Sequence, residues 1–175
     1  MADVSVGAVG ARLLYPDGTV QHGGIVMGLG GLCNHAHRYL PADQPGYAGR
    51  AVLAQEVSAV TGACLLVRGS VFHAVGGLDG AYPGAFNDVD FCLRLREAGH
   101  AVVYDGATTL HHLENTTYGT AGATASALPD GPEGRRMAHR WAAICRADPF
   151  HNPNLDLAPG REWQLAWPPR ERDNG

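Results

Sequence analysis

Lysine is absent from this 175-residue chain, so all 13 of its basic residues are arginines. Set against 17 acidic residues they leave a net charge of -4 and no basic stripe to track a phosphate backbone, which argues against nucleic acid as a partner. Long apolar runs are missing too. None approaches the ~20 residues that span a bilayer, and the N-terminus carries no signal-peptide pattern. The expected location is the cytoplasm, at most peripheral to the inner face of a membrane. Cysteine is scarce: Cys33, Cys64, Cys92 and Cys145 lie far apart with no C-x-x-C pair, so free and mostly buried thiols are expected rather than a disulfide framework.

What is present suffices for a core. With 45% hydrophobic residues, a chain of this length forms one domain that buries about 70% of its unfolded surface. Val6 to Leu14 is apolar and β-rich, Pro16-Asp17-Gly18 supplies turn chemistry, and Thr19 to Met27 resumes an extended pattern, so the chain opens with strand, turn and strand. Residues 28–50 are rich in Gly, Pro and His without a sustained period and read as a long surface loop. Residues 56–67 read as a buried strand interrupted at Thr61-Gly62, where a glycine marks the close approach of another backbone or a ligand. Ser70 is placed to cap a short helix over 71–75 that Gly76-Gly77 closes. Ala101 to Tyr104 and Ala107 to Leu110 read as two short strands. Residues 119–132 are a flexible connection of small residues and proline. Met137, Trp141, Ile144 and Cys145 recur at helix spacing within 133–147, and Asp148-Pro149 stops that helix.

The most informative stretch runs from Asn87 to Gly99. On a wheel of ~100° per residue, Val89, Phe91, Cys92, Leu93, Leu95 and Ala98 form a broad apolar arc, and Asp90, Arg94 and Glu97 a narrow polar one. Asp88 falls on the apolar side. A carboxylate turned toward a packed interior must be hydrogen-bonded, paired, or lining a cleft. Asp90 reads as a solvated first-turn acid with Arg94 four residues on as its partner. Asn87 reads as the N-cap, and both acids suit the helix dipole. Because Asp88 and Asp90 stand about 160° apart, the Asp-x-Asp they spell is not read as a metal-binding pair.

Several ordered blocks together resemble a known family. They are Val6 to Leu14 with Pro16-Asp17-Gly18-Thr19, Thr61-Gly62-Ala63-Cys64, Gly76-Gly77-Leu78-Asp79, the Asp88 helix, His112 to Gly119, and Arg146 to Leu155. In that order they resemble the C-terminal half of the inverting family 2 glycosyltransferases of the GT-A fold, in the bacterial subgroup associated with cell-surface polysaccharide and rhamnan-type assembly. The resemblance implies an α/β fold, a mixed sheet with flanking helices, and a chain that begins after the family's N-terminal nucleotide-binding half. It implies the C-terminal half of a GT-A domain over 1–118, a linker over 119–132, and a helix and extended tail over 133–175.

The same resemblance implies roles for residues. Asp88 matches the general base that takes the acceptor's proton, and Thr61, Gly62, Ala63 and Asp79 match the acceptor-lining positions. His112, with His111 as its neighbour and competitor, matches the histidine that completes coordination of a divalent cation, manganese or magnesium, expected to be weakly held or absent here. The partners implied are a nucleotide-diphospho-sugar donor and a glycan or lipid-linked acceptor. Two departures stand out: Asn87 where the motif usually has an acid, and Tyr118 where an arginine usually precedes Gly119. Two other readings remain beside this one. One is a non-catalytic binding or assembly module derived from such an enzyme. The other is a small metal-binding protein built on Cys33, His35, His37, His111 and His112. A half-sheet also implies an exposed strand edge and self-association through it.

Overall fold

The structure, a computed structural model, describes residues 3–113 and 129–170. The chain opens with strand β1 (Val6–Leu14), which turns at Asp17-Gly18 into β2 (Val20–His22). The turn forms as its residues dictate: Asp17 Oδ1 accepts the Thr19 N–H at 2.9 Å and the Thr19 hydroxyl at 2.8 Å, while Gly18 takes φ 82°. β3 (Ile25–Met27) continues the extended run after a kink at Gly23-Gly24, and it pairs antiparallel with β4 (Cys33–His35).

Residues 28–50 are therefore not simply a surface loop. Leu29, Leu32, Ala36 and His37 are all buried, and Val26, Leu29 and Ala36 form a small second core with Leu157 and Trp163 of the tail packed against it. Their spacing has no period because what covers them lies more than a hundred residues away, beyond the reach of any local pattern.

β5 (Gln55–Glu56) and β6 (Leu65–Val67) flank the Thr61-Gly62 interruption, which becomes a turn of 3-10 helix over Gly62–Cys64. Helix α1 (Gly69–Ala74) follows, with Arg68 rather than Ser70 at its N-cap. Gly76 and Gly77, at φ 81° and 65°, close it as expected, the Gly77 N–H reaching back to Phe72 O at 2.8 Å. Helix α2 (Asn87–Glu97) then runs beneath the sheet. Its N-cap is Phe86, held left-handed at φ 63°, and Asn87 is already helical.

The two short strands expected after α2 are one, β7 (Ala101–His111). Its pairing with β1 slips where Ala11 faces Asp105 but Arg12 faces Thr109, so the ladder bulges around Gly106. A Cβ on Gly106 would sit 2.5 Å from the Val52 carbonyl carbon, which is why glycine stands there. The expected helix over 133–147 is two, α3 (Pro132–Arg140) and α4 (Ala142–Arg146), because Trp141 leaves helical geometry at φ -113° and ψ 26°. Of the expected linker 119–132, residues 119–128 lie outside the described residues, as do Glu114, Tyr118 and Gly119.

Among the described residues the main sheet runs β2-β1-β7-β5, with β6 also paired to β1. β1 and β7 are parallel and the other pairings antiparallel, so this is a mixed sheet with helices packed against it. Phe91, Cys92, Leu93 and Leu95 of α2 sit at or near zero exposure against Ala8, Val60, Val102 and Tyr104. Each such side chain contributes roughly 1.5–3 kcal/mol by leaving water. Past α4, Asp148 pins the tail to the body: its carboxylate accepts Met27 N–H and the Ser58 hydroxyl, both at 2.7 Å, and Phe150 N–H at 2.8 Å. Among the described residues no helix is long and apolar enough to cross a membrane.

Candidate functional site

Asp88 stands in the first turn of α2 and reaches across to the 3-10 turn after Val60. Its Oδ2 accepts the Gly62 N–H at 2.7 Å, and its Oδ1 accepts the Val89 N–H at 2.8 Å. The inward direction seen on the helix wheel thus ends on a backbone amide 26 residues earlier in the chain. Glycine eases the close approach: a Cβ on residue 62 would lie 3.2 Å from Asp88 Cβ. Asp88 is half-buried while Gly62 and Ala63 are exposed, so the carboxylate lies at the protein surface, where a solute can meet it.

The turn is itself well tied. Thr61 Oγ1 accepts the Ala63 N–H at 3.3 Å, and a Thr61 φ of -74° with ψ 143° delivers the strand into the 3-10 turn. The structure therefore brings Thr61, Gly62 and Ala63 together with Asp88. Cys33 and Cys92 stand near enough for the Asp88 charge to act on them. Burial first, with that charge added, raises both thiols, Cys92 to about 12. Those thiols stay protonated at neutral pH, and all four cysteines are free.

Asp79 is placed differently. It accepts the Ala81 N–H at 2.9 Å in a local turn, which is the main reason its carboxyl titrates below the usual range, and it pairs with Arg140 at 3.3 Å. That arginine belongs to a cluster around Asp90. Asp90 is fully buried, contrary to the solvated position its wheel angle implied. Arg94 Nε lies 2.8 Å from Asp90 Oδ2 as its spacing predicted, while Arg140 Nη1 and the Trp141 indole N–H reach Oδ1 at 3.1 and 2.9 Å. The segment joining α3 to α4 covers the polar arc of α2 at Asp90 while Glu97 stays exposed, so Asp90 is an internal tie. Arg94 extends the tie to Gly77 O at 2.6 Å and to Val75 O at 2.5 Å. Glu133 adds another: buried at the start of α3, it accepts Ala85 N–H at 2.6 Å just ahead of α2. Arg140 and Glu133 carried no recognisable signal in the sequence, whereas Trp141 did as part of the helical apolar spacing.

His112 Nδ1 lies 2.8 Å from Gln21 Nε2. Among the described residues no three His, Cys, Asp or Glu side chains gather as a metal site would require. The set Cys33, His35, His37, His111 and His112 is accordingly not assembled. His35 pairs with His22, and His37 stacks on Trp163 with ring centroids 4.3 Å apart.

The chain is 42% identical over 153 residues to the uncharacterized protein y4gI of Sinorhizobium fredii. It is 36% identical over 155 residues to the O-antigen biosynthesis protein RfbC of Myxococcus xanthus. Both matches take in 87% of this chain but only 17% and 12% of those proteins, so the chain spans about a sixth or less of their length. A 59-residue stretch, 33% of the chain and 19% of the relative, is 46% identical to the N-acetylglucosaminyl-diphospho-decaprenol L-rhamnosyltransferase of Mycobacterium tuberculosis. No family model and no solved structure matches the chain.

Proposed function

We propose that this chain is the acceptor-activating part of an inverting glycosyltransferase of the GT-A type, acting in cell-surface polysaccharide assembly, and that Asp88 is its general base. The observation that carries the reading is the contact between Asp88 and Gly62, at 2.7 Å and open to solvent, which unites two segments assigned to one site. Relatives named for O-antigen biosynthesis and for rhamnosyl transfer support it, the first across 87% of the chain.

In this reaction Asp88 takes the proton of an acceptor hydroxyl. The acceptor oxygen bonds to the anomeric carbon as the bond to the nucleoside diphosphate breaks, and the diphosphate leaves with the electron pair, inverting the configuration. Both Asp88 oxygens already accept one backbone N–H each. Those amides aim the carboxylate, and each oxygen retains a lone pair for the acceptor. Thr61, Gly62 and Ala63 form the acceptor-side wall. Asp79 is proposed to support the loop ahead of α2 through Arg140.

A divalent cation would offset charge on the departing diphosphate. His112 is the ligand proposed for it, but the described residues do not place two further ligands beside it and so do not make a complete cation site. The donor is proposed to be a nucleotide-diphospho-sugar, the acceptor a glycan or polyprenyl-diphosphate-linked sugar, and the setting the cytoplasmic face of the membrane. Residues 1–118 are proposed as the catalytic unit and 133–175 as its strap. Self-association through the β7 edge, where residues 107–111 are exposed, belongs to the same proposal.

The test is transfer of radiolabelled sugar from a panel of nucleotide-diphospho-sugars to polyprenyl-diphosphate-linked N-acetylglucosamine. Transfer that Asp88→Asn abolishes, in a variant that still folds, supports the reading. A chain that neither transfers nor binds any donor or acceptor by titration NMR is a non-catalytic module instead.

A further inference from the structure

His22, at the end of β2, is fully buried. Burying an imidazole is costly unless both ring nitrogens find partners, and here both do. Its Nε2 accepts the backbone N–H of Thr61 at 3.4 Å, and its Nδ1 lies 2.8 Å from Nδ1 of His35, the two rings standing edge to face at 83°. Tyr104 closes a third side, also edge to face, with ring centroids 6.0 Å away.

These contacts determine the protons. A backbone amide only donates, so Nε2 of His22 is bare. A neutral imidazole carries one proton, which therefore sits on Nδ1 and is donated to Nδ1 of His35; the proton of His35 is then on its own Nε2. Burial first, and His35 second, hold His22 well below the ordinary imidazole range and so keep it in that neutral form.

The recipient of this arrangement is the turn beneath Asp88. Three successive amides are each occupied: Thr61 N–H by His22, Gly62 N–H by Asp88, and Ala63 N–H by the Thr61 hydroxyl. The Gly62 amide can aim at Asp88 only while the peptide before it keeps its orientation, and two buried side chains hold that peptide from inside: His22 takes its N–H, and the Cys92 thiol donates to its carbonyl, Val60 O, at 3.7 Å. We propose that His22, oriented by His35, is a positioning residue of the candidate site: it sets the Thr61-Gly62 turn and, through the Gly62 amide, the direction of the Asp88 carboxylate. The proposal rests on Asp88 being the base, yet its structural half is measurable without turnover.

Long-range proton–nitrogen correlation spectra of the whole chain at neutral pH read the tautomers directly. Protonated Nδ1 on His22 and protonated Nε2 on His35 are expected; a His22 protonated at Nε2 overturns the proposal. His22→Phe keeps the bulk and removes both contacts, and should accelerate exchange of the Gly62 amide about tenfold or more. His22→Gln, whose Oε1 can accept from Thr61, should restore slow exchange, and the shorter His22→Asn should not. If His22→Phe does not fold, His35→Ala, altered at the partly exposed end of the pair, should accelerate the same amide. Unchanged Gly62 exchange in a folded His22→Phe or in His35→Ala overturns the proposal. In the transfer assay His22→Phe should lower kcat about tenfold or more with the donor KM little changed, and His22→Gln should recover most of it. Full transfer by Asp88→Asn would remove the reading of Asp88 as base while leaving the tautomer and exchange results to stand alone.

Discussion

Gly62 and Asp88 meet at 2.7 Å, amide to carboxylate, across 26 residues of sequence. The contact is tight for a side chain, since a Cβ at residue 62 falls 3.2 Å from Asp88 Cβ and 3.6 Å from its Oδ2. Gly62→Ala should therefore push the carboxylate aside by a few tenths of an ångström without disturbing the core. Sugar transfer should drop by about tenfold to a hundredfold, the cost of misplacing a catalytic group, while the thermal midpoint stays nearly constant. Asp88→Asn should lose more, because an amide cannot accept the proton. Parallel measurement of kcat and of the unfolding midpoint separates the two effects.

Asp90 presents a different kind of acid. With no solvent exposure and three donors around it, it is a structural anchor between α2 and the segment joining α3 to α4. Asp90→Ala leaves Arg94 with only the Val75 and Gly77 carbonyls and Arg140 with only Asp79, and removing the buried partner should cost about 3 kcal/mol, the low end for a buried pair because Arg140 is partly exposed. Trp141→Phe removes the indole N–H together with the five-membered ring, so a lost hydrogen bond of about 1–2 kcal/mol is joined by the cost of the cavity left behind. Urea denaturation followed by circular dichroism gives both values; a loss below half a kilocalorie for Asp90→Ala would mean the pairs are not formed in solution.

These two acids mark what the sequence reveals and what it conceals. Helix periodicity was enough to turn Asp88 inward, and Gly62 was recognisable as a close-approach glycine, but nothing in their spacing said that the two meet. For Asp90 the wheel gave a direction away from the apolar arc and no information on what lies there. Trp141 and Arg140, some fifty residues later, cover it and turn a surface acid into an interior one. The same physics explains Leu29 and Ala36, which looked like loop residues until Leu157 and Trp163 supplied the missing wall. The β1–β2 hairpin was legible because Asp17 and Gly18 act locally. The continuity of β7 was not, because Gly106 answers to Val52 rather than to its own strand.

Acid should unfold this protein through histidine before it does so through carboxylates. His37 is lowered from 6.5 to about 4, by burial first and then by the Arg50 and Arg12 cations, and His22 is held well below its ordinary value by burial and then by His35. Both are depressed in the folded state, so the unfolded chain binds their protons first. Their contribution is whole above about pH 6.5 and is lost as pH falls toward 4, with His37 alone worth on the order of 3 kcal/mol across that window. Urea midpoints measured every half unit of pH should fall steeply there. His37→Phe, which retains a ring against Trp163, should flatten the slope by up to one proton, and an unchanged slope would show that His37 is not buried neutral.

Asp148 gives the sharpest test of how the tail is held. Every one of its three partners donates: Met27 N–H to Oδ2, and Ser58 Oγ–H and Phe150 N–H to Oδ1. A carboxylate satisfies all of them, but an amide of the same shape cannot, since whichever way it is turned its NH2 group faces a donor. Asp148→Asn should thus be disruptive despite being isosteric, costing about 1.5–3 kcal/mol from the lost charge-assisted bond. If the NH2 faces Met27, the tie to β3 is what fails; if it faces Ser58 and Phe150, the start of the tail is released. Either way residues 149–170 are held by fewer ties, so limited proteolysis should cut the tail faster in the variant while the α2–β7 core resists as before. Protection of the tail equal to the wild type, at equal core stability, would place its anchor elsewhere, in the Trp163 stack with His37 and Tyr47.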